Sequence, residues 1–331
     1  MISVLGSGAW GTTFAAVLAD AGNDVLIWGR DPAVVDEINT HHTNREYMPA
    51  RALPETVRAT LSLPDAVGSA QEIVVAVPSQ AARSVLAGMG EHVAADASVI
   101  SLMKGIELDT DLRMTQMLRE VLEVEASQLV ALSGPNLAGE IAELQPTASV
   151  VACTDIARAE RIAQSCATAY FRPYVNDDVV GVELAGAVKN VIAVAVGMAK
   201  GRGYGDNTTA TIITRGLAEI TRLAVALGAD PATLAGLAGM GDLVATCSSS
   251  LSRNHRLGLA LGRGLTLAEA IETTGGTAEG AKSCRSVAHL AASVGVEMPI
   301  TNAVVAVLYE GLGVREMTAA LLARPRKDER R

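Results

Sequence analysis

"ISVLGSGAWG", residues 2–11, decides how the rest of the chain is read. A short buried strand over 2–6 runs into Gly6, Gly8 and Gly11, spaced G-x-G-x-x-G, and a helical stretch follows from Trp10 to Ala21. The glycine spacing alone would fit any functionless turn. Between a strand and a helix it acquires a physical purpose. Glycines allow a tight turn, bring the backbone close to a pyrophosphate, and aim a helix N-terminus at its charge. Gly6, Gly8 and Gly11 are therefore expected to hold a dinucleotide.

Working outward, the turn "GND" leads to a second strand, "VLIWG" (25–29). An NAD site commonly ends this strand on an acidic residue that holds the ribose 2′-hydroxyl. Arg30 stands there instead, and Asp31-Pro32 reads as a helix opening, with aspartate as N-cap and proline at the first helical position. A guanidinium at that place favours a 2′-phosphate and hence NADP(H), although Asp31 could still reach the ribose of NAD. Further apolar runs at 72–79, 97–103, 128–135 and 148–153 alternate with helix-length segments, which implies a parallel, doubly wound Rossmann-type sheet. After Asn176 the strand signals stop. "NDD" caps a long helix, and helical segments are expected at 207–227, 252–262, 266–274, 278–294 and 299–310. The expected architecture is an α/β dinucleotide-binding domain over 1–178 and an all-α substrate-binding domain over 179–331. The tail "RPRKDERR" reads as a solvated charged end.

Composition agrees with two domains, since 331 residues exceed one comfortable core. A net charge of −9 gives no broad basic field, so nucleic acid is not an expected partner, whereas a few placed cations could still hold an anionic small molecule. The opening "MISVLGSGAWG" has no basic n-region or apolar signal segment, and no uncharged apolar run reaches the roughly 18 residues of a membrane span. Cys153, Cys166, Cys247 and Cys284 form no C-x-x-C pair, so neither structural zinc nor a disulfide framework is expected. A cytoplasmic protein without a metal site is the natural reading.

One charge is out of place. In "VELAGAVKNVIAVAVGMAK" (182–200), Lys189 shares a helix face with Val182, Ala185, Gly186, Ile192, Ala193 and Val196. Either the ammonium snorkels to water, or it is buried with a lowered pKa and moves protons. Other polar groups stand at turns: Lys104 in "SLMKGIE", Asn136 in "SGPNLAGE", Asp242 in "AGMGDLVATC", and Ser252, Arg253 and Asn254 opening a helix. Lys104 and Asn136 follow strand ends, where parallel sheets bind ligands. Singly, each also fits a cap, a loop lysine or a surface charge.

Together, "GSGAWG", "VPS", "MKGIE", "SGPNLAGE", "GVELAGAVKNVIAVAVGM", "ITRGLAEITRLAVALGAD", "GLAGMGDLVATC" and "SRNHRLG" resemble the soluble NAD(P)-dependent glycerol-3-phosphate dehydrogenases of bacteria. The resemblance spans essentially the whole chain. It implies that Lys189 is the catalytic lysine and also touches substrate. It implies substrate contacts at Lys104, Gly134, Asn136, Asp242, Ser252, Arg253 and Asn254. It places Ala9, Trp10, Arg30, Lys104, Ala138, Arg253, Thr277 and Glu279 along the dinucleotide, NADP or NAD. The implied reaction interconverts dihydroxyacetone phosphate and glycerol 3-phosphate, supplying the latter for phospholipid synthesis, and a homodimer is compatible with it. The chain departs from the family where Asn136 replaces a more usual serine or threonine, where Gly139 replaces a frequent lysine, and where "GGTAEG" replaces a valine-containing "VAEG" or "VVEG". A related two-domain dehydrogenase for a hydroxy acid or sugar acid would share the glycine loop and the lysine-asparagine helix. The "GDL" and "SRN" segments favour the glycerol phosphate reading. A dinucleotide sensor without turnover is the rival of another class.

Overall fold

The computed structural model describes residues 1–274 and 278–317. Eight strands form one sheet: β1 (Ile2–Leu5), β2 (Val25–Trp28), β3 (Val57–Thr60), β4 (Glu72–Val75), β5 (Ser98–Ser101), β6 (Leu129–Ser133), β7 (Thr147–Ala152) and β8 (Phe171–Asn176). Their order is β3-β2-β1-β4-β5-β6-β7-β8. Helices α1 (Ala9–Asp20), α2 (Pro32–His41), α3 (Leu63–Gly68), α4 (Ala82–Leu86), α5 (Met114–Leu122), α6 (Ala138–Ala142) and α7 (Ile156–Ser165) accompany it. Successive strand residues point to opposite faces. Accordingly, Val4 enters one buried cluster with Phe14 and Ile27, while Leu5 enters another with Ile73 and Met117.

Strand order reverses between β1 and β4, the place where such sheets open a crevice for ligands. Gly6 sits there with φ +126°, and a Cβ on it would lie 2.8 Å from the Ala76 carbonyl oxygen. No other residue fits that turn without displacing β4's exit.

Three expectations need correction. β3 and β8 were not among the expected strands, and the sheet is not parallel throughout, because β7 pairs antiparallel with β6. β3 is four residues interrupted by the exposed Arg58, and β8 is an edge strand carrying Pro173 and exposed Tyr174 and Val175, so neither shows an apolar run.

Beyond the sheet come α8 (Val179–Gly201), α9 (Asp206–Ala226), α10 (Pro231–Ala235), a π-helical turn (Leu237–Gly241), α11 (Asp242–Ser248), α12 (Arg253–Gly262), α13 (Leu267–Thr274), α14 (Glu279–Ser293) and α15 (Pro299–Tyr309). The stretch from α10 to α11 was not expected as helix, because "AGLAGMGD" reads as a glycine-rich turn. Asp178 caps α8 by accepting from the Gly181 N–H at 2.8 Å. Every residue from Gly181 to Ala199 is buried. By length and composition α8 could cross a membrane (mean hydropathy 1.8), yet 94% of that window lies inside the protein, so it is the core helix here.

α12 crosses α8 at backbone contact. Gly197 and Gly201 on α8 meet Gly258 and Gly262 on α12. A Cβ on Gly258 would lie 2.1 Å from the Val194 carbonyl oxygen, and one on Gly197 would lie 2.2 Å from that of His255. This glycine seam sets the first turn of α12 against the middle of α8. Ile106, from the loop after β5, is fully buried in the same helical core.

Candidate active site

Four segments deliver the polar groups. The loop after β5 carries Lys104, and the turn after β6 carries Gly134, whose φ of +147° is open to glycine. α8 carries Lys189 and Asn190. The π-helical turn ends at Asp242, the first residue of α11, and such turns recur at functional sites.

Asp242, 1% exposed, lies between two ammonium groups. Its Oδ1 accepts from Lys189 Nζ, and its Oδ2 accepts from Lys104 Nζ at 2.7 Å. Lys104 Nζ also donates to the Gly134 carbonyl at 3.0 Å. Lys189 Nζ donates to Thr246 Oγ1 at 2.6 Å, and that hydroxyl donates to Asp242 Oδ1 at 3.2 Å. Asp242 and Thr246 are one helical turn apart and share a face, which is why both reach the lysine. Lys189 therefore does not snorkel. Burial pushes its pKa down to about 8; the Asp242 carboxylate opposes that shift and the Lys104 charge adds to it.

Sequence reasoning missed Thr246, although its four-residue offset from Asp242 lies within the quoted segment. It also missed Ser79, which donates its backbone N–H to Glu279 Oε1 at 3.3 Å and its hydroxyl to Glu279 Oε2. Glu279 opens α14 and so reaches the exit of β4. Next to it, the Gly280 N–H donates to Asn254 Oδ1 at 2.9 Å, and Asn254 Nδ2 donates to Asn190 Oδ1 at 2.9 Å. Asn190 Nδ2 in turn donates to the carbonyls of Lys104 and Gly186, each at 3.3 Å. Asn136 donates to Ser149 Oγ at 3.1 Å, while its buried Oδ1 has no partner among the described residues. Ser252 caps α12 by accepting from the His255 N–H at 3.2 Å, and Arg253 is exposed beside it.

At the dinucleotide end, Gly8 is the N-cap of α1 and makes no side-chain cap, so the first N–H groups of the helix remain available to an anion. A Cβ on Gly8 would meet nothing within 4 Å, which leaves an open cradle in front of the helix. Ala9 and Trp10 form the first turn. Trp10 Nε1 is buried without a partner among the described residues, and its ring lies 5.5 Å from Phe14. Thr13 Oγ1 contacts the Ala138 carbonyl at 3.5 Å, which draws α6 beside α1. Arg30 is exposed after β2, and Asp31 accepts from the Ala33 N–H at 2.9 Å as the cap of α2. These residues fit a dinucleotide. Thr277 lies outside the described residues. Among the described residues, no group of three His, Cys, Asp or Glu side chains is placed to hold a metal.

The family model for the NAD-dependent glycerol-3-phosphate dehydrogenase N-terminus matches residues 1–159, and that for the C-terminus matches residues 178–319. The chain is 54% identical over 329 residues to a glycerol-3-phosphate dehydrogenase (NAD(P)+) of Streptomyces griseus, covering 99% of this chain and 98% of the relative. It is 55% identical over 330 residues to the Thermobifida fusca protein of the same name, with 99% and 98% covered. The crystal structure of glycerol-3-phosphate dehydrogenase from Coxiella burnetii superposes with a TM-score of 0.92 at 37% identity, covering 98% of both chains. With both halves matched and the sheet, glycine cradle and buried lysine in place, the chain belongs to the NAD-dependent glycerol-3-phosphate dehydrogenase family.

Proposed function

We propose that this protein interconverts dihydroxyacetone phosphate and sn-glycerol 3-phosphate with NADPH or NADH. The observation that carries the reading is a buried lysine ammonium, locked to a buried carboxylate, at the end of the sheet where ligands bind. When bound, the dihydronicotinamide supplies the hydride that reduces the C2 carbonyl. Lys189 stabilises the developing alkoxide as an ammonium and gives it the Nζ proton; in the reverse direction its amine takes that proton back. Asp242 and Thr246 hold the Nζ in place.

Lys104, Gly134 and Asn136 line the substrate, and Ser252, Arg253 and Asn254 receive its phosphate, supported by their place at the α12 N-terminus. Gly6, Gly8, Ala9, Trp10, Gly11, Arg30, Ala138, Thr277 and Glu279 hold the dinucleotide, together with Lys104 and Arg253. Residues 1–178 serve the cofactor and 179–331 the substrate, a division supported by the end of β8 at Asn176 and the start of α8 at Val179. We place the enzyme in the cytoplasm, supported by its four unpaired cysteines, feeding phospholipid synthesis; a homodimer is compatible with that role.

The test is steady-state kinetics with dihydroxyacetone phosphate and each reduced cofactor. Consumption of NADPH or NADH at catalytic enzyme concentration is expected. Absence of turnover with both cofactors saturating would refute the reading.

A further inference from the structure

A side chain outside the glycine motif holds that motif in shape. Asn44 lies in the segment between α2 and β3 and is 0% exposed. Its Nδ2 donates to the Ser7 carbonyl at 2.9 Å and to Thr12 Oγ1 at 2.8 Å. Thr12, also fully buried, donates its own hydroxyl proton to the same carbonyl at 3.0 Å. These directions are forced. The Ser7 carbonyl can only accept, so the amide must present its nitrogen there. Thr12 Oγ1, having given its proton to Ser7, accepts the second Nδ2 hydrogen. The segment that delivers Asn44 is firmly seated. The Asn44 carbonyl accepts from the Met48 N–H and the His42 carbonyl from the Leu53 N–H, both at 2.7 Å. Met48 and Leu53 are themselves buried with Val4 and Phe14. Asn44 Oδ1 is buried without a partner among the described residues, a cost that an apolar side chain at this place would avoid.

The Ser7 carbonyl matters because the peptide between Ser7 and Gly8 is planar and trans, so the Gly8 N–H points opposite to it. Asn44 and Thr12 draw the oxygen towards themselves. The Gly8 N–H therefore faces away from them, and the space around Gly8 is open, since a Cβ there would meet nothing within 4 Å. The Gly8 carbonyl accepts from the Thr12 N–H at 2.8 Å, so the first turn of α1 is built on the same peptide. We propose that Asn44 is a positioning residue for the dinucleotide's pyrophosphate, which fixes the Ser7 carbonyl and so aims the Gly8 N–H and the first turn of α1 at the phosphates. This rests on the functional reading above, in that a dinucleotide is the ligand. The pyrophosphate is common to NADH and NADPH, whereas the 2′-phosphate proposed for Arg30 belongs to NADPH alone. Asn44 governs affinity without governing the choice between them.

The experiment titrates the full chain with NADPH and NADH by nicotinamide fluorescence, and with ADP-ribose and 2′-AMP by displacement of NADPH. Asn44→Ala should weaken NADPH, NADH and ADP-ribose by a shared factor of about tenfold. The ligand 2′-AMP, which has no pyrophosphate, should bind the variant as it binds wild type. With dihydroxyacetone phosphate, KM for either cofactor should rise by the same factor while kcat changes little. Thr12→Val keeps the side-chain volume and removes one of the two donors to Ser7. It should shift the same constants in the same direction by about threefold, and it carries the test if the alanine protein does not fold.

Unchanged affinities for both dinucleotides would overturn the proposal, even with a lowered Tm, because Asn44 would then serve the fold alone. A loss confined to NADPH would overturn it too, by placing the effect at the ribose. An equal loss for 2′-AMP would mean that the whole cofactor domain is damaged and that nothing is specific to the pyrophosphate. Failure of wild type to bind either dinucleotide would instead refute the functional reading itself.

Discussion

Lys189 shows how much one side chain depends on its surroundings. In water its ammonium would hold its proton far above neutral pH; burial brings the pKa to about 8 despite the carboxylate beside it. The direction of the reaction then sets the sign of the pH dependence. Reduction uses the protonated form, so its kcat/KM should be full below about pH 8 and fall above it. Oxidation uses the free amine and should fall below about pH 8. Parallel profiles in the two directions would remove Lys189 from proton transfer. We propose a different burden for Arg30, the choice of cofactor. Its guanidinium has a strong partner in a 2′-phosphate and little to gain from a hydroxyl. Arg30→Ala should weaken NADPH relative to NADH by about 1.5–3 kcal/mol, read as the ratio of the two KM values. Both residues stand out in the sequence because each breaks a local pattern: a charge in an apolar stripe, a base where an acid is usual. Thr246 and Ser79 break no pattern. Their roles exist only once distant segments meet.

At the scale of elements, the glycine seam between α8 and α12 inverts an ordinary rule. In an exposed helix, Gly→Ala gains close to 1 kcal/mol. At Gly258 the new methyl would collide with the Val194 carbonyl, and forcing the helices apart should cost about 1–3 kcal/mol. Gly258→Ala should therefore lower Tm by roughly 2–10 °C and reduce kcat/KM, because α12 carries Asn254 away from Asn190. An unchanged Tm would show that the seam can yield. α9 supplies another device. Its buried Glu219 accepts from the Ile300 N–H at 2.7 Å and the Thr301 N–H at 3.3 Å, so it holds the start of α15. Burial outweighs those bonds and pushes its pKa up to about 7, against 4.5 for a free carboxyl. Between those values the folded chain keeps a proton that the unfolded chain releases. Stability from this group is therefore full below pH 4.5 and fades through pH 7, by about 3 kcal/mol in all. Glu219→Gln keeps an acceptor for Ile300 and should raise Tm at pH 8 but not at pH 4.5. Long elements such as α8 and α9 were legible from their apolar periodicity. β8 and the π-helical turn were not, because an edge strand needs no apolar face and glycines conceal a helix held by its neighbours.

Across the whole molecule, the sheet and the helical core are joined by buried ties as well as by the chain. Glu183 of α8 accepts from the Thr115 N–H and hydroxyl, both at 2.7 Å, and from Arg113, while Ile106 crosses into the helical core. Wild type should consequently unfold in a single calorimetric transition. Glu183→Ala leaves Arg113 without its buried partner, at a cost of about 3–5 kcal/mol, and should lower or split that transition. An unaltered thermogram would mean that Ile106 and the packing of α8 on β6 suffice. These ties were invisible in the sequence, where Arg113 and Glu183 are merely two charges 70 positions apart. The composition of α8 has a last consequence, during synthesis. α9, α11, α12 and α14, which pack against it, are all encoded after it. At roughly 5–20 residues per second, the chain from Gly201 to Ser293 takes on the order of 5–20 s to emerge. For that interval a ribosome presents a helix that lipid would accept. A lysine near the middle of such a helix costs about 2.5–3.5 kcal/mol on insertion. Lys189, proposed above as the proton donor, would thus also raise the cost of inserting the nascent helix into a bilayer.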